Sequence, residues 1–356
     1  MPSQDAALKP RHPTSAAAAA AISRAIADAG GAIPFDEFMR LALYGEGGFY
    51  RSGGTAGRRG DFITSPEVGP LFGVLLGRQL DAEWERLGRP DVFTVVDVGA
   101  GRGTMARSLR AAHPACSAAM RYVTVELSPA LREQHPDWVE SRATMPDEPI
   151  VGVVVANELL DNLPFRLAVY DGGWREAYVV DEGGDLREVL SAPLEPVPSV
   201  LPARPSHGAR APLLDGAVAW LAEARRLVAA GSVLVVDYAV PTTAELAARP
   251  WREWLRTYRG HGRGGHYLAA PGTQDVTVDV PLDQLPEPDT VRTQAQFLQR
   301  WGIDELVEEG RRHWAAEAAR PDVAALRMRS RIREAEALLD PSGFGAFTVA
   351  EWRAGP

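Results

Sequence analysis

The chain has 356 residues, 46% apolar and 24% charged, with a net charge of −9, which allows one large α/β domain with additions or two modest domains. The acidic balance speaks against a phosphate-backbone partner, so no nucleic acid is expected. A single cysteine, Cys116, excludes an internal disulfide framework or zinc–cysteine cluster, and a single lysine, Lys9, leaves the body of the chain without a P-loop or Schiff-base lysine.

Residues 1–14 are polar and proline-containing and read as a disordered tail. Residues 15–29 are alanine-rich and helix-prone; they lack the strongly apolar core of a signal peptide. Residues 35–43 read as a second helix, ending in the glycine-rich loop 44–50. Ser65 followed by Pro66 makes an N-cap and first-turn pair. Val68, Leu71, Phe72, Leu75, Leu76, Leu80, Trp84 and Leu87 then recur at helical spacing up to Gly88. From there the pattern alternates. Phe93–Val98 reads as a strand buried on both faces, 104–112 as a helix, and 122–127 and 151–156 as further strands. Arg166–Tyr170 and residues 175–180 flank Asp171-Gly172-Gly173, a hairpin signal. The proline-rich stretch 192–212 reads as a surface loop. Residues 215–230 read as a helix ending at Gly231, followed by a strand over 232–238. Residues 251–290 show no clear period, 292–338 read as mostly helical, and 347–352 as a final strand. No run reaches the roughly 18–20 apolar residues of a membrane span. The sequence therefore predicts a soluble cytoplasmic α/β protein without membrane insertion, built on a mainly parallel sheet with its ligand at the carboxyl ends of the strands.

The densest signal is Asp97-Val98-Gly99-Ala100-Gly101-Arg102-Gly103-Thr104, set between a buried strand and a helix. Glycines serve where a backbone bends sharply and comes close to a ligand. A dinucleotide turn would place glycine at 104. Thr104 stands there instead, leaving a GxGxG spacing with an acid two residues ahead. That is the pattern of class I methyltransferases, whose cofactor, S-adenosyl-L-methionine, carries ammonium and sulfonium groups that favour carboxylates. The bland alternative is a glycine turn with no ligand. Glu126, at the end of the second strand, can accept hydrogen bonds from both ribose hydroxyls; alone it would simply be solvated. Asp97 is either a supporting acid near the methionine moiety or a turn residue.

The strand at 151–156 runs into Asn157-Glu158-Leu159-Leu160-Asp161-Asn162-Leu163-Pro164. Asn157, Glu158 and Asp161 are the candidate catalytic residues. Buried carboxylates there could hold a cationic guanidinium and take its proton as methyl transfer proceeds. The alternative has Asn157 and Glu158 capping the next helix and Asp161 in solvent. Methyl transfer needs alignment more than acid–base help and requires no metal. His261 and His266 lack a carboxylate pattern, so no metal site is expected, and no GxSxG elbow occurs.

The sequence resembles the MidA-like methyltransferases, which include the mitochondrial complex I assembly factor with protein arginine methyltransferase activity. The resemblance runs through Met39-Arg40-Leu41-Ala42-Leu43-Tyr44 with Gly48-Phe49-Tyr50, Gly60-Asp61-Phe62-Ile63-Thr64-Ser65-Pro66-Glu67 with Phe72-Gly73, and the two segments above. It continues through Val236-Asp237-Tyr238, Leu255-Arg256-Thr257-Tyr258 with His261, Pro271-Gly272, Asp275-Val276-Thr277 and Gln294-Ala295-Gln296-Phe297-Leu298. It implies a class I (Rossmann-like) fold with a mostly parallel seven-stranded sheet. The tail 1–14 would precede an N-terminal helical extension over 15–90 and a methyltransferase domain over 91–356, with an insertion at about 165–212 and a substrate-side segment at about 251–290. It further implies that Gly60, Phe62, Thr64, Ser65, Pro66 and Glu67 cover the cofactor beside Asp97, Gly99, Gly101, Gly103, Glu126 and Asn157. Departures cluster late. The family usually follows Asp-Ile-Thr with Ala-His-Val-Asp-Phe, whereas Thr277 is followed by Val278-Asp279-Val280-Pro281-Leu282, and Ala239 stands where the family has glycine. The implied acceptor is an arginine of a protein. A small molecule methylated on oxygen or nitrogen, or a cofactor-binding assembly factor without turnover, are the alternatives, and a homodimer stays open. The acidic net charge suits both a sulfonium and an arginine-rich partner.

Overall fold

The computed structural model describes residues 15–51, 63–260, 262–320 and 322–355. Gly60 and Phe62 of the expected covering loop, and His261, lie outside the described residues. The mostly apolar run Phe93–Val98 is buried at every position and forms an interior strand of a seven-stranded sheet. In chain order the strands are β1 (Phe93–Val98), β2 (Met120–Val125), β3 (Glu140–Arg142), β4 (Ile150–Asn157), β5 (Val228–Asp237), β6 (Thr290–Thr293) and β7 (Thr348–Ala354). Their spatial order is β3-β2-β1-β4-β5-β7-β6. Pairing is parallel from β3 through β5, and β7 runs antiparallel to both of its neighbours. The strand order reverses at β1, so a crevice opens at the carboxyl ends of β1 and β4.

Side chains of β1 alternate between two cores, as a strand covered on both faces requires. Phe93 and Val95 join Leu71, Leu75 and Leu109 of the helices Pro70–Arg86 and Thr104–Ala112. Val96 and Val98 join Ile22, Phe38 and Leu221 of the helices Ala16–Asp28, Phe35–Tyr44 and Asp215–Leu227. Each fully buried large side chain contributes about 1.5–3 kcal/mol, so the N-terminal helices are part of the second core and not an appendage.

A second, antiparallel sheet sits beside the first. It pairs Ile33–Pro34, Trp174–Glu182, Arg166–Tyr170 and Arg210–Leu213, with Asp185–Pro193 on the far side of Trp174–Glu182. The expected hairpin is present. The expected loop 192–212 is shorter, because both its ends are strand; the polar alternation of Asp185–Pro193 fits a half-exposed edge. The expected helix 215–230 stops at Leu227, and β5 begins at once with a bulge between Val228 and Ala230. Gly231 is thus a sheet residue rather than a helix stop. The predicted single helix after Ser65 is two helices, Ser65–Val68 and Pro70–Arg86, broken at Gly69, and Thr64 rather than Ser65 holds the N-cap position. No described helix is long and apolar enough to cross a membrane.

Gly231 has φ 134°, and a Cβ there would stand 1.8 Å from the Gly152 carbonyl oxygen. Gly231→Ala should therefore lower stability by about 2–3 kcal/mol through strain and overpacking. Gly183→Ala, at φ 69° with open space around it, should cost only about 1–2 kcal/mol. Urea midpoints of the two variants provide the check; equal losses would refute the close backbone approach.

Candidate functional site

The turn after β1 exists because three glycines take left-handed backbone angles, φ 73° at Gly99, 54° at Gly101 and 74° at Gly103. The N–H groups of Gly99 and Ala100 both donate to the Val125 carbonyl, at 2.9 and 3.2 Å, which fastens the turn to the end of β2. Gly103 then caps the helix Thr104–Ala112. Above this turn lies a cavity of about 400 Å³, lined by Asp97, Gly99, Gly101, Glu126, Asn157, Glu158, Thr64, Pro66 and Glu67 among others. Gly103, Ser65 and Asp161 do not line it.

Glu126 faces the turn. Its carboxylate accepts from the Gly101 N–H at 3.1 Å and the Ser128 N–H at 2.8 Å. Burial raises its pKa, while these donors oppose the rise. Asp97 is buried and accepts from the Tyr122 hydroxyl at 3.0 Å. Burial outweighs that bond and moves its pKa up to about 7.

Glu158 follows β4 with φ 52°, a strained angle for a residue with a side chain. Its N–H donates to the Val236 carbonyl at 2.7 Å. Its carboxylate accepts from Asn157 Nδ2 at 3.0 Å and from the Ser65 N–H at 3.4 Å. Burial first, and the charge of Asp237 second, push its pKa up to about 8. Asn157 Oδ1 is buried with no hydrogen-bond partner, an acceptor at the cavity wall suited to an N–H donor. Asp161 is not in solvent: it is 2% exposed. Burial and the charges of Asp237 and Asp275 raise its pKa well above the carboxylate range. Glu158 caps no long helix either, since only the short turn Leu160–Asn162 follows it.

The covering segment is tied down at two points. Thr104 Oγ1 donates to Glu67 Oε1 at 2.5 Å, joining it to the helix after the glycine turn. The buried Ser65 hydroxyl donates to Gln294 Oε1 at 2.7 Å. This bond, rather than a helix cap, is where the Ser65 side chain goes.

Sequence reasoning assigned no role to several residues that the fold brings here. Tyr44 and Tyr50 line the cavity, stacked with ring centroids 5.4 Å apart. Trp220 and Glu223, from the helix before β5, line it from the other side, with Leu131 and residues 143–145. Asp237 accepts from the N–H groups of Leu159, Leu160 and Asp161 at 3.2, 2.8 and 3.3 Å. Asp275 accepts from Tyr50 Oη at 3.0 Å and Asn162 Nδ2 at 3.1 Å. Tyr44, Tyr50, Asp237 and Asp275 stand in motifs already noted, which was a usable signal; Trp220 and Glu223 stand in none. Among the described residues, the cavity wall carries the carboxyls of Glu67, Asp97, Glu126, Glu158 and Glu223 against the guanidinium of Arg102. Such a lining favours cations. No group of three or more described His, Cys, Asp or Glu residues could hold a metal ion.

Comparison with known proteins bears on this geometry. The family model described as "Putative S-adenosyl-L-methionine-dependent methyltransferase" matches residues 75–299. The mitochondrial protein arginine methyltransferase NDUFAF7 homolog of Drosophila melanogaster is 30% identical over 297 residues, 70% of this chain and 65% of that protein. Its Danio rerio counterpart is 27% identical over 324 residues, 78% of this chain and 75% of that protein. A crystal structure from Burkholderia thailandensis, bound to S-adenosyl-homocysteine, superposes with a TM-score of 0.82 at 28% identity, covering 95% of this chain and 92% of that one. With the strand order, the glycine turn and the family match in agreement, this chain belongs to the MidA-like family of S-adenosyl-L-methionine-dependent methyltransferases.

Proposed function

We propose that this protein transfers a methyl group from S-adenosyl-L-methionine to a guanidinium nitrogen of an arginine in a protein acceptor. The observation that carries this reading is the group of carboxyls at the ends of β4 and β5, with the half-buried Glu158 on the cavity wall and the buried Asp161 and Asp237 behind it. A guanidinium stays charged at working pH, and a desolvated cation needs carboxylates to hold it. An alcohol or apolar amine acceptor would not need them. The names of the Drosophila and Danio relatives, protein arginine methyltransferases, support the same acceptor class.

In this reading Gly99 and Gly101 let the backbone come close to the cofactor, Gly103 turns the chain into the helix that follows, Glu126 takes the ribose hydroxyls, and Asn157 Oδ1 accepts from the ammonium group. Asp97 supports the turn from below. Thr64, Pro66 and Glu67 close over it, and Ser65 anchors that segment through Gln294. When bound, the cofactor supplies a methyl group on a cationic sulfur that leaves with its bonding electron pair. Glu158 accepts the proton that the acceptor nitrogen releases as its bond to carbon forms. A carboxyl titrating at about 8 is a stronger base than a solvated glutamate, which suits that task. Asp161, behind the cavity wall, adds to the acidic group that favours the bound guanidinium. The working compartment in this reading is the cytoplasm, where the buried thiol of Cys116 stays reduced.

Incubation with methyl-labelled cofactor and a cell lysate tests the acceptor class. Label in protein arginine is expected; label confined to small molecules would overturn the arginine reading. Gly101→Val should weaken S-adenosyl-homocysteine binding by more than about 100-fold, because the left-handed angle excludes a β-branched residue, with the far-UV circular dichroism unchanged. Calorimetric titration measures this, and unaltered affinity would count against the turn.

Glu158→Gln should slow transfer by at least about 100-fold while cofactor affinity changes little. In the parent protein kcat/KM should rise about tenfold per pH unit below 8 and level off above it, since only the deprotonated carboxyl acts. That limb should vanish in the variant. The stability sign runs the other way. The folded-state pKa is raised from 4.5 to about 8, so the folded protein holds a proton that the unfolded chain releases, and stability is lost as pH rises through that window. Relative to the parent, Glu158→Gln should therefore gain thermal stability between pH 5 and pH 9. A pH-independent difference in Tm would contradict the assignment.

A further inference from the structure

His135 follows the short helix Pro129–Arg132 and lies against the glycine turn. Its Nε2 stands 2.9 Å from the Gly101 carbonyl oxygen. Its Nδ1 stands 2.9 Å from Thr124 Oγ1 on β2 and 2.8 Å from Ser141 Oγ on β3. One ring thus joins the turn after β1 to two neighbouring strands, which pair with each other at these same two residues. The ring and the adjacent Pro136 also crowd Gly103, where a Cβ would stand 3.3 Å from His135 Cδ2 and 3.2 Å from Pro136 Cδ.

The partners fix the state of the ring. A carbonyl can only accept, so Nε2 carries the proton and donates to Gly101. The Thr124 hydroxyl is wholly buried, and the Glu140 carbonyl, another acceptor in reach, is 3.4 Å away. A bare Nδ1 is the better partner for that hydroxyl. Both ends of the ring therefore require the same neutral tautomer. Burial lowers the pKa of His135, and the charges of Arg107 and Arg132 lower it further against the opposing bond to Gly101. Gly101 is consequently held from both sides: its N–H donates to Glu126 at 3.1 Å, and its carbonyl accepts from His135. A Cβ at Gly101 would meet nothing within 4 Å, so hydrogen bonds rather than packing fix this residue. A glycine that must meet a ligand loses conformational freedom on binding unless it is ordered beforehand. Arg107 adds a clasp at the margin, its Nη1 donating to the Arg102 carbonyl at 2.6 Å and its Nη2 to the Gln134 carbonyl.

We infer that His135, as its Nε2–H tautomer, is a positioning residue for the cofactor: it orders the Gly101 backbone before S-adenosyl-L-methionine arrives and so sets cofactor affinity. This rests on the proposed place of Gly101 against the cofactor and extends it to a residue that does not line the cavity. Thr124 and Ser141 hold the ring from behind, and the acceptor plays no part.

Nitrogen NMR spectra of the imidazole rings in the parent protein read the tautomer directly. His135, identified by the signal lost in His135→Gln, should show a protonated Nε2 and a bare Nδ1 at neutral pH. A protonated Nδ1, or a ring averaging between tautomers, would overturn the inference. Calorimetric titration with S-adenosyl-homocysteine reads the consequence. His135→Leu, which has neither donor nor acceptor, should bind about tenfold more weakly, whereas His135→Gln, whose amide supplies both, should stay within about threefold of the parent. The comparison is made at a temperature where every variant is fully folded, so a difference in affinity is not a difference in stability. If the leucine variant does not fold, His135→Phe keeps a flat ring without donor or acceptor and takes its place. Parent-like affinity in the leucine or phenylalanine variant, or an equal loss in the glutamine variant, would refute the positioning role. If Gly101→Val weakens binding and removal of the His135 ring nitrogens does not, only this role falls. If neither change alters affinity, the place of the turn against the cofactor falls with it.

Discussion

A single carboxylate, Asp237, ties the end of β5 to the turn that leaves β4. One of its oxygens collects the N–H groups of three successive residues, Leu159, Leu160 and Asp161, and the other takes the N–H of Tyr238. Four backbone donors that β4 and β5 leave unpaired at their ends are thereby satisfied at one point. The turn could not otherwise be buried, and burial of this turn sets the character of the whole site. It brings Glu158 to the cavity wall, draws Asp161 out of solvent and crowds four acids together. Burial even moves Asp237 itself up to about 7, against the pull of its donors. Crowding of this kind is unfavourable in an empty protein and becomes favourable when a cation arrives.

The N-terminal helices belong to the same logic. Phe35, Phe38 and Met39 are wholly buried, so the helix Phe35–Tyr44 is locked to the second core. Its last residue, Tyr44, donates to the Asn162 carbonyl at 3.1 Å, and the stacked Tyr50 reaches Asp275. Two aromatic rings from outside the central sheet thus form a wall of the cavity and brace the turn beyond β4. The wall is set by packing at a distance, and its rings arrive at the cavity with fixed orientations.

Legibility from sequence followed the physics of each element. β1, β4 and β5 were readable because a strand buried on both faces is mostly apolar. The glycine turn was readable because its backbone angles exclude other residues. β3 and β6 went unread: Glu140–Arg142 and Thr290–Thr293 are short, polar sheet edges with no period to detect. Ser65 carried the local signature of a helix cap, yet a partner 229 positions away, Gln294, claims its hydroxyl. Trp220 and Glu223 showed only the ordinary pattern of an amphipathic helix; their place at the cavity depends on how that helix crosses the sheet. Asp161 looked like a solvated turn residue in one reading and proved buried. Local chemistry was legible, and long-range partners were not.

The left-handed backbone at Glu158 carries a thermodynamic cost. Folding alone would choose glycine or asparagine there, because a larger side chain in that region carries roughly 1–3 kcal/mol of strain. The same position also forces a carboxyl into a poorly hydrated place beside another acid. Two independent penalties therefore fall on one residue, and neighbouring β4 and β5 must be rigid enough to absorb both. The chain is thus less stable than its architecture permits at the spot where its chemistry is densest, and a search for thermostable variants would drift toward replacing this very glutamate.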